Sequence, residues 1–245
     1  MFRNLLLISN STNAGEDYLA WPRMAIRDFI ARFGFHEAIF IPYAGVNLTP
    51  VSVEKSFDFY EKKVKMIFGE MGIGLHSIHR ESDPVRAVND AEAIVIGGGN
   101  TFHLVSMMHE TGIMEAIRRK VLRGIPYMGW SAGANVACPT MMTTNDMPIC
   151  EPASFNCLNL IPFQINPHYL DANPAGHAGE TREQRILEFL SVNRDITVAG
   201  LREGCLLKVE ADAMKLEGKR PMRIFRFGKD PLEYTATDNL DFLLK

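Results

Sequence analysis

Cysteine, long apolar runs and excess positive charge are all scarce in this sequence of 245 residues. The four cysteines show no C-x-x-C spacing and are too few for a disulfide scaffold, so we expect reduced thiols in a cytoplasmic protein. The first apolar run, LLLI, is too short for a secretory signal, and no run approaches the ~18 residues of a membrane span. A formal net charge of −3 argues against nucleic acid as the main partner.

What the sequence does contain is an alternation of short apolar runs and amphipathic segments. Five apolar runs predict buried strands, at 5–9, 37–44, 74–78, 93–97 and 126–130. Amphipathic patterns between them predict helices, including 22–33, 53–71 and 112–123. Because such alternation is typical of parallel sheets covered on both faces, we predict an α/β fold with a mostly parallel sheet flanked by helices. We expect one domain, 1–245.

The sequence changes character after Ala137. Residues 138–180 are rich in Pro, Asn, Thr and His and predict a long loop region with short strands, which is usually functional. A helix is predicted at 181–192, with Thr181 as its N-cap and Gln184 completing a capping box. From Thr197 the alternation of apolar and polar residues predicts a short C-terminal antiparallel β extension.

Residues 129–135 read GWSAGAN, in which Ser131 has glycines two positions before and two positions after it. A predicted strand precedes this motif and helix-like sequence follows it, as in a nucleophile elbow. Such a turn strains the backbone of the serine, and the crossing chain leaves room only for glycine at the two flanking positions. We therefore predict that Ser131 is a nucleophile, although an ordinary strand-to-helix turn would also fit.

Residues 97–100 read GGGN, between a predicted strand and a helical segment that begins at Thr101. Glycines let a backbone approach a ligand closely and direct its N–H groups inward. We expect the N–H groups of Gly99 and Ala132 to form an oxyanion hole. A phosphate-binding loop is the weaker alternative, because neither G-x-G-x-x-G nor G-K-[ST] is present.

A serine nucleophile needs a general base and an acid that orients the base. Among seven histidines, His168 is preferred because Pro167 restrains its backbone, and His177 is the second choice. Asp146, in TTNDMP, and Glu203, just after a predicted strand, are both candidates for the acid. Sequence spacing alone does not distinguish these two carboxylates.

Several segments, taken together and in order, resemble the peptidase E family of serine peptidases, the aspartyl dipeptidases. They are LLLISNST, FIPYAGV, IVIGGGNTF, GWSAGAN, TTNDMPI, QINPHY and GETREQRI. The resemblance extends from the first predicted strand to about Gly204, and the residues after Gly204 match poorly.

The resemblance implies a fold similar to that of class I glutamine amidotransferases and hydrolysis of dipeptides with N-terminal aspartate, without a metal or cofactor. By position, the family's triad falls on Ser131, His168 and Asp146, with Glu203 open as the third member. The family's arginine for the substrate's aspartate side chain falls on Arg182, where a solvated helix arginine would also fit. Small dipeptides are the expected partners, and the oligomeric state is left open.

Three other functions share part of this pattern. A broader esterase would have the same elbow and oxyanion hole without a preference for aspartate. A relative that cleaves aspartyl bonds in a polymer such as cyanophycin would need a more open cleft. A non-catalytic domain similar to the amidotransferases is disfavoured, because that family has cysteine at the elbow whereas this chain has Ser131 together with His168 and an acid.

Overall fold

The architecture comes from a computed structural model that describes residues 2–173, 176 and 178–245. Its larger sheet has seven strands in the order β3-β2-β4-β5-β1-β8-β9. The strands are β1 (Asn4–Ile8), β2 (Glu37–Ile41), β3 (Gly74–Ser77), β4 (Ile94–Ile96), β5 (Tyr127–Trp130), β8 (Cys205–Glu210) and β9 (Ala213–Gly218). The first five in this order pair in parallel, whereas β8 and β9 are antiparallel to their neighbours.

A smaller sheet of four strands carries part of the functional site. Its order is β11-β10-β7-β6, formed by β6 (Gln164–Tyr169), β7 (Thr197–Arg202), β10 (Met222–Arg226) and β11 (Leu232–Tyr234). Only the β6–β7 pair is parallel among these strands.

In the part of the chain that the structure describes, seven α-helices connect or cover the strands. They are α1 (Arg23–Phe33), α2 (Val53–Gly69), α3 (Pro84–Asp90), α4 (Thr101–Glu110), α5 (Ile113–Leu122), α6 (Ala132–Asn135) and α7 (Arg182–Val192), with 3₁₀ segments at Ile78–Arg80 and Asp241–Leu244. The predicted capping box at α7 is present, because the Thr181 and Gln184 side chains each accept a backbone N–H of the other residue. No helix within the described ranges is both long and apolar enough to cross a membrane.

The apolar runs of the larger sheet are buried on both faces. In β1, Leu5 and Leu7 belong to one apolar cluster while Leu6 and Ile8 belong to another. Because successive side chains of a strand point to opposite faces, a strand between two helical layers needs apolar residues at every position. This explains why β1, β2, β4 and β5 appear as nearly continuous apolar runs, whereas the edge strands β3 and β9 alternate between buried and exposed residues.

The predicted α/β fold is confirmed, but the C-terminal strands are arranged differently from a simple extension. β8 and β9 extend the larger sheet, whereas β7, β10 and β11 join β6 in the second sheet. The physical reason is that β1 leaves an open edge which β8 fills by antiparallel pairing.

The four cysteines are all unpaired thiols, as expected from their spacing.

Candidate active site

Ser131 lies at a sharp turn between β5 and α6. Its backbone has φ 54° and ψ −112°, a conformation that L-residues rarely adopt. A Cβ at Gly129 would lie 2.2 Å from the carbonyl oxygen of Gly133, and a Cβ at Gly133 would lie 2.2 Å from that of Ile96. Both flanking glycines are therefore required by close backbone approach, as a nucleophile elbow demands.

The Ser131 side chain meets the imidazole of His168. The distance between Ser131 Oγ and His168 Nε2 is 2.8 Å, and that between His168 Nδ1 and Glu203 Oε1 is 2.7 Å. With the proton on Nδ1, the imidazole donates to the carboxylate and accepts from the serine hydroxyl. A hydroxyl, an imidazole and a carboxylate in this relay form the geometry of a serine hydrolase triad.

His168 is held by an irregularity in β6. Its φ is 53°, and the pairing of β6 with β7 shifts register between Pro167 and Tyr169. Its backbone N–H donates to Ser9 Oγ at 3.0 Å, while the Ser9 hydroxyl donates to the Leu201 carbonyl at 2.7 Å. The sequence does not single out Ser9 for this contact, although its position directly after β1, at the carboxyl end of a parallel strand, is a signal that points to it.

Asp146, the expected third member of the triad, does not contact His168 and instead bonds Thr101 and Thr144. Its Oδ2 accepts from the Thr101 N–H at 2.7 Å, the Thr101 hydroxyl at 2.5 Å and the Thr144 hydroxyl at 3.0 Å. The structure thus brings Glu203, not Asp146, to His168. The reason is pairing: Glu203 directly follows β7, which lies beside the strand of His168, whereas Asp146 lies in a loop against the start of α4.

Gly99 lines the cleft at Ser131, and Ala132 follows Ser131 directly as the first residue of α6. Gly99 has φ +135°, and a Cβ there would lie 2.2 Å from the Ala44 carbonyl oxygen. The preceding Gly98 packs against Ser131, where an added Cβ would be 2.9 Å from the serine Cβ. Within the described residues, neither the Gly99 nor the Ala132 N–H donates a hydrogen bond to another group of the protein. Both donors are therefore available to a ligand.

Arg182 begins α7 and is half-buried. Burial lowers the pKa of its guanidinium, and nearby Arg185 lowers it further, whereas nearby Asp146 acts in the opposite direction. Among the described residues, Arg182 forms no salt bridge, whereas Arg185 of the same helix lies 3.8 Å from Glu180. His177, the second choice for the base, lies outside the described residues.

A cleft of about 230 Å³ opens beside the Ser131 hydroxyl. Its lining consists of Ser11, Tyr18, Leu48, Phe59, Tyr60, Lys63, Gly98, Gly99, Trp130, Ser131 and His168. Arg182 and Asp146 do not line this cleft. A larger cavity of about 710 Å³ shares Glu203 with the triad but contains neither Ser131 nor His168. The smaller cleft is therefore the one in which a bound group would meet the nucleophile.

Three aromatic side chains form the floor of this cleft. The Trp130 indole N–H lies 2.9 Å from the Tyr18 hydroxyl and 3.0 Å from the Tyr60 hydroxyl, and the two hydroxyls lie 2.9 Å apart. Tyr60 also donates to the Gly98 carbonyl at 3.1 Å. Burial raises the pKa of Tyr60 to about 12. This neutral network fixes the glycine loop next to Ser131.

Comparison with known proteins shows the family to which the chain belongs. The profile of peptidase family S51 matches residues 5–217. A protein named peptidase E from a Nostoc species is 49% identical over 245 residues, covering 100% of this chain and 98% of that protein. The chain belongs to peptidase family S51. Peptidase E from Streptomyces coelicolor is also similar, at 44% identity over 98% of this chain and 95% of its own length.

A solved structure supports the fold of this S51 peptidase. A peptidase from an acI-B1 actinobacterium has a TM-score of 0.71 at 18% identity, covering 98% of this chain and 97% of that one. The predicted family and serine-peptidase class are confirmed. The family match extends past Gly204 to residue 217, and the Nostoc protein aligns over the whole chain.

Proposed function

We propose that this S51 peptidase hydrolyses dipeptides with N-terminal aspartate through an aspartyl-serine intermediate, with Ser131, His168 and Glu203 as its catalytic triad. The observation that carries the proposal is the continuous relay of 2.8 Å and 2.7 Å contacts from the serine hydroxyl to the carboxylate. This relay supplies nucleophile and base from the chain itself, so no metal or cofactor is needed to activate the nucleophile.

In the proposed reaction, His168 Nε2 takes the proton of Ser131 as its Oγ attacks the peptide carbonyl. Glu203 stabilises the imidazolium that forms. The Gly99 and Ala132 N–H groups hold the oxyanion, and one such donor contributes on the order of 10²–10³ in kcat. His168 then protonates the departing amine. A water activated by the same imidazole hydrolyses the ester and frees aspartate and Ser131.

Selectivity for aspartate is assigned to Arg182. A guanidinium without a carboxylate partner, half-buried so that water screens it less, suits a bidentate carboxylate ligand. Asparagine in the same position would leave this cation without its charged partner, which explains a preference for aspartate. Asp146 bonds Thr101 and Thr144, and its charge opposes the fall of the Arg182 pKa, so we assign Asp146 to the electrostatics of this subsite rather than to the triad.

Two further expectations belong to this proposal. Residues 1–245 form a single domain, which is supported by an apolar cluster that contains side chains of both sheets, such as Leu207 of β8 and Ile224 of β10. A cytoplasmic location is supported by the four unpaired thiols.

The test is hydrolysis of Asp-Leu, Glu-Leu, Asn-Leu and Ala-Leu in the presence of EDTA, by the wild type and by Ser131→Ala. We expect cleavage of Asp-Leu alone, lost in the variant. Arg182→Ala should raise KM for Asp-Leu and reduce the preference over Asn-Leu. Efficient cleavage of p-nitrophenyl acetate without any preference for Asp-Leu would instead identify a broad esterase and reject the proposed function.

A further inference from the structure

The cleft beside Ser131 is lined by one cationic side chain and by no carboxylate. Lys63 is the only lysine or arginine among the lining residues, and no aspartate or glutamate lines the cleft. Within the described chain, no carboxylate lies within 4.0 Å of the Lys63 ammonium; Lys55 of the same helix, by contrast, pairs with Asp58 at 2.8 Å. A cation left unpaired beside a nucleophile is available to an anionic part of the substrate.

Lys63 is held in position by an aromatic ring. Its Nζ lies 3.8 Å from the centre of the Tyr18 ring, a cation–π contact. The Tyr18 hydroxyl is bonded into the network with Tyr60 and Trp130. Tyr60 and Lys63 are three residues apart on α2 and therefore face the same way. The ammonium is thus directed over a fixed platform instead of moving freely in solvent.

The substrate of the proposed function carries two carboxylates, one on the aspartate side chain and one at the C-terminus of the leaving residue. Arg182, which is assigned to the side chain, does not line this cleft. The second carboxylate therefore needs another cation. The cleft also presents Leu48 and Phe59, whose side chains are 43% and 48% exposed and suit an apolar leaving residue.

Resting on the proposed function, we infer that the cleft formed with Lys63, Tyr18, Leu48 and Phe59 binds the leaving residue, and that Lys63 pairs with the C-terminal carboxylate. Lys63 is thereby a specificity-determining residue that makes the enzyme a dipeptidase. In a longer peptide the next peptide bond would occupy this position, and the ammonium would have no carboxylate to pair with. Apolar leaving residues are favoured because they cover the two exposed apolar side chains.

The experiment crosses two enzymes with two substrates. Wild type and Lys63→Met are each assayed with Asp-Leu and with its C-terminal amide, Asp-Leu-NH2, which lacks only the terminal charge. The wild type should favour Asp-Leu by about tenfold or more in kcat/KM, mainly through KM. In Lys63→Met this preference should fall to near one, because only the charged substrate loses a partner. Lys63→Arg should retain the preference.

Lys65→Met is the matched control. Lys65 is two residues further along α2, on roughly the opposite side of the helix, and is exposed. It should keep the wild-type ratio. An unchanged ratio in Lys63→Met would overturn the inference while leaving the proposed function intact. If Lys63→Met instead loses the preference for Asp-Leu over Asn-Leu, Lys63 binds the aspartate side chain and not the C-terminal carboxylate. That result would also overturn the inference. Absence of Asp-Leu hydrolysis by the wild type would reject the proposed function and, with it, this inference.

Discussion

Ser131 and His168 meet with 2.8 Å between Oγ and Nε2, and both have a positive backbone φ, of 54° and 53°. Two non-glycine residues in this conformation at one contact represent strain that the surrounding structure must hold. Because the surrounding structure holds both backbones, truncation of either side chain should remove catalytic activity while the protein stays folded. We expect His168→Ala to reduce kcat for Asp-Leu by on the order of 10⁴–10⁶, measured by steady-state kinetics. Near wild-type turnover in this variant would exclude His168 as the base.

The identity of the acid gives a second prediction. Glu203→Gln keeps the size of the side chain but removes the charge that stabilises the imidazolium, so kcat should fall by roughly 10³–10⁴. Asp146→Asn is the matched control, because Asp146 bonds Thr101 and Thr144 instead of the imidazole. Its loss should cost about 1–3 kcal/mol of folding free energy with a smaller effect on kcat. A larger fall of kcat in Asp146→Asn than in Glu203→Gln would reverse this assignment.

The elbow glycines give a prediction about stability. A Cβ at Gly133 would meet the Ile96 carbonyl at 2.2 Å, a backbone group of β4 that cannot rotate away. We expect Gly133→Ala to lower the free energy of unfolding by about 3 kcal/mol or more, measured by urea denaturation. Gly69→Ala is the control, since an added Cβ there has no neighbour within 4 Å, and it should be neutral or slightly stabilising.

Ser9 should act through the position of His168. Ser9→Ala leaves the His168 N–H and the Leu201 carbonyl without their hydroxyl partner, at a cost of about 1–3 kcal/mol. Because the imidazole is then less well oriented, kcat should fall while KM for Asp-Leu stays near the wild-type value. Ser9→Thr should restore part of the activity. A change confined to KM would argue against this positioning role.

Alkaline pH should unfold the protein through its buried phenols. The pKa of Tyr60 is about 12 in the folded protein, raised by burial from an ordinary value of 10.0. Above pH ~10 the unfolded chain loses this proton while the folded protein keeps it, so folded stability is lost as pH rises from about 10 to 12. Each such group contributes at most about 1.4 kcal/mol per pH unit. Tyr60→Phe should show a shallower decline between pH 10 and 12, measured by denaturation at each pH.

The sequence by itself predicted the parallel strands β1 to β5 of the larger sheet and the sharp turn at Ser131. Continuous apolar strands such as β1 can be buried only between two helical layers, and this pattern is local. The glycines around Ser131 are likewise a local requirement, because the strained turn brings the crossing backbone to within 2.2 Å of each position. The start of α7 was also predictable, since a capping box lies within four consecutive residues.

Only the tertiary structure decided which acid meets His168. Asp146 and Glu203 are both polar residues at plausible places in the sequence, and their separation from His168 along the chain carries no information about distance in space. The parallel pairing of β6 with β7 brings Glu203 to the imidazole, while packing of the preceding loop against α4 turns Asp146 to Thr101. Long-range strand pairing depends on the whole sheet, so no local pattern encodes it.

The composition of the cleft was decided in the same way. Tyr18 follows β1, Tyr60 lies on α2 and Trp130 ends β5, so three separate elements must assemble before the aromatic floor exists. Each residue is unremarkable in its own segment. Their hydroxyl and indole groups find partners only after burial, because hydrogen bonding then compensates the loss of water.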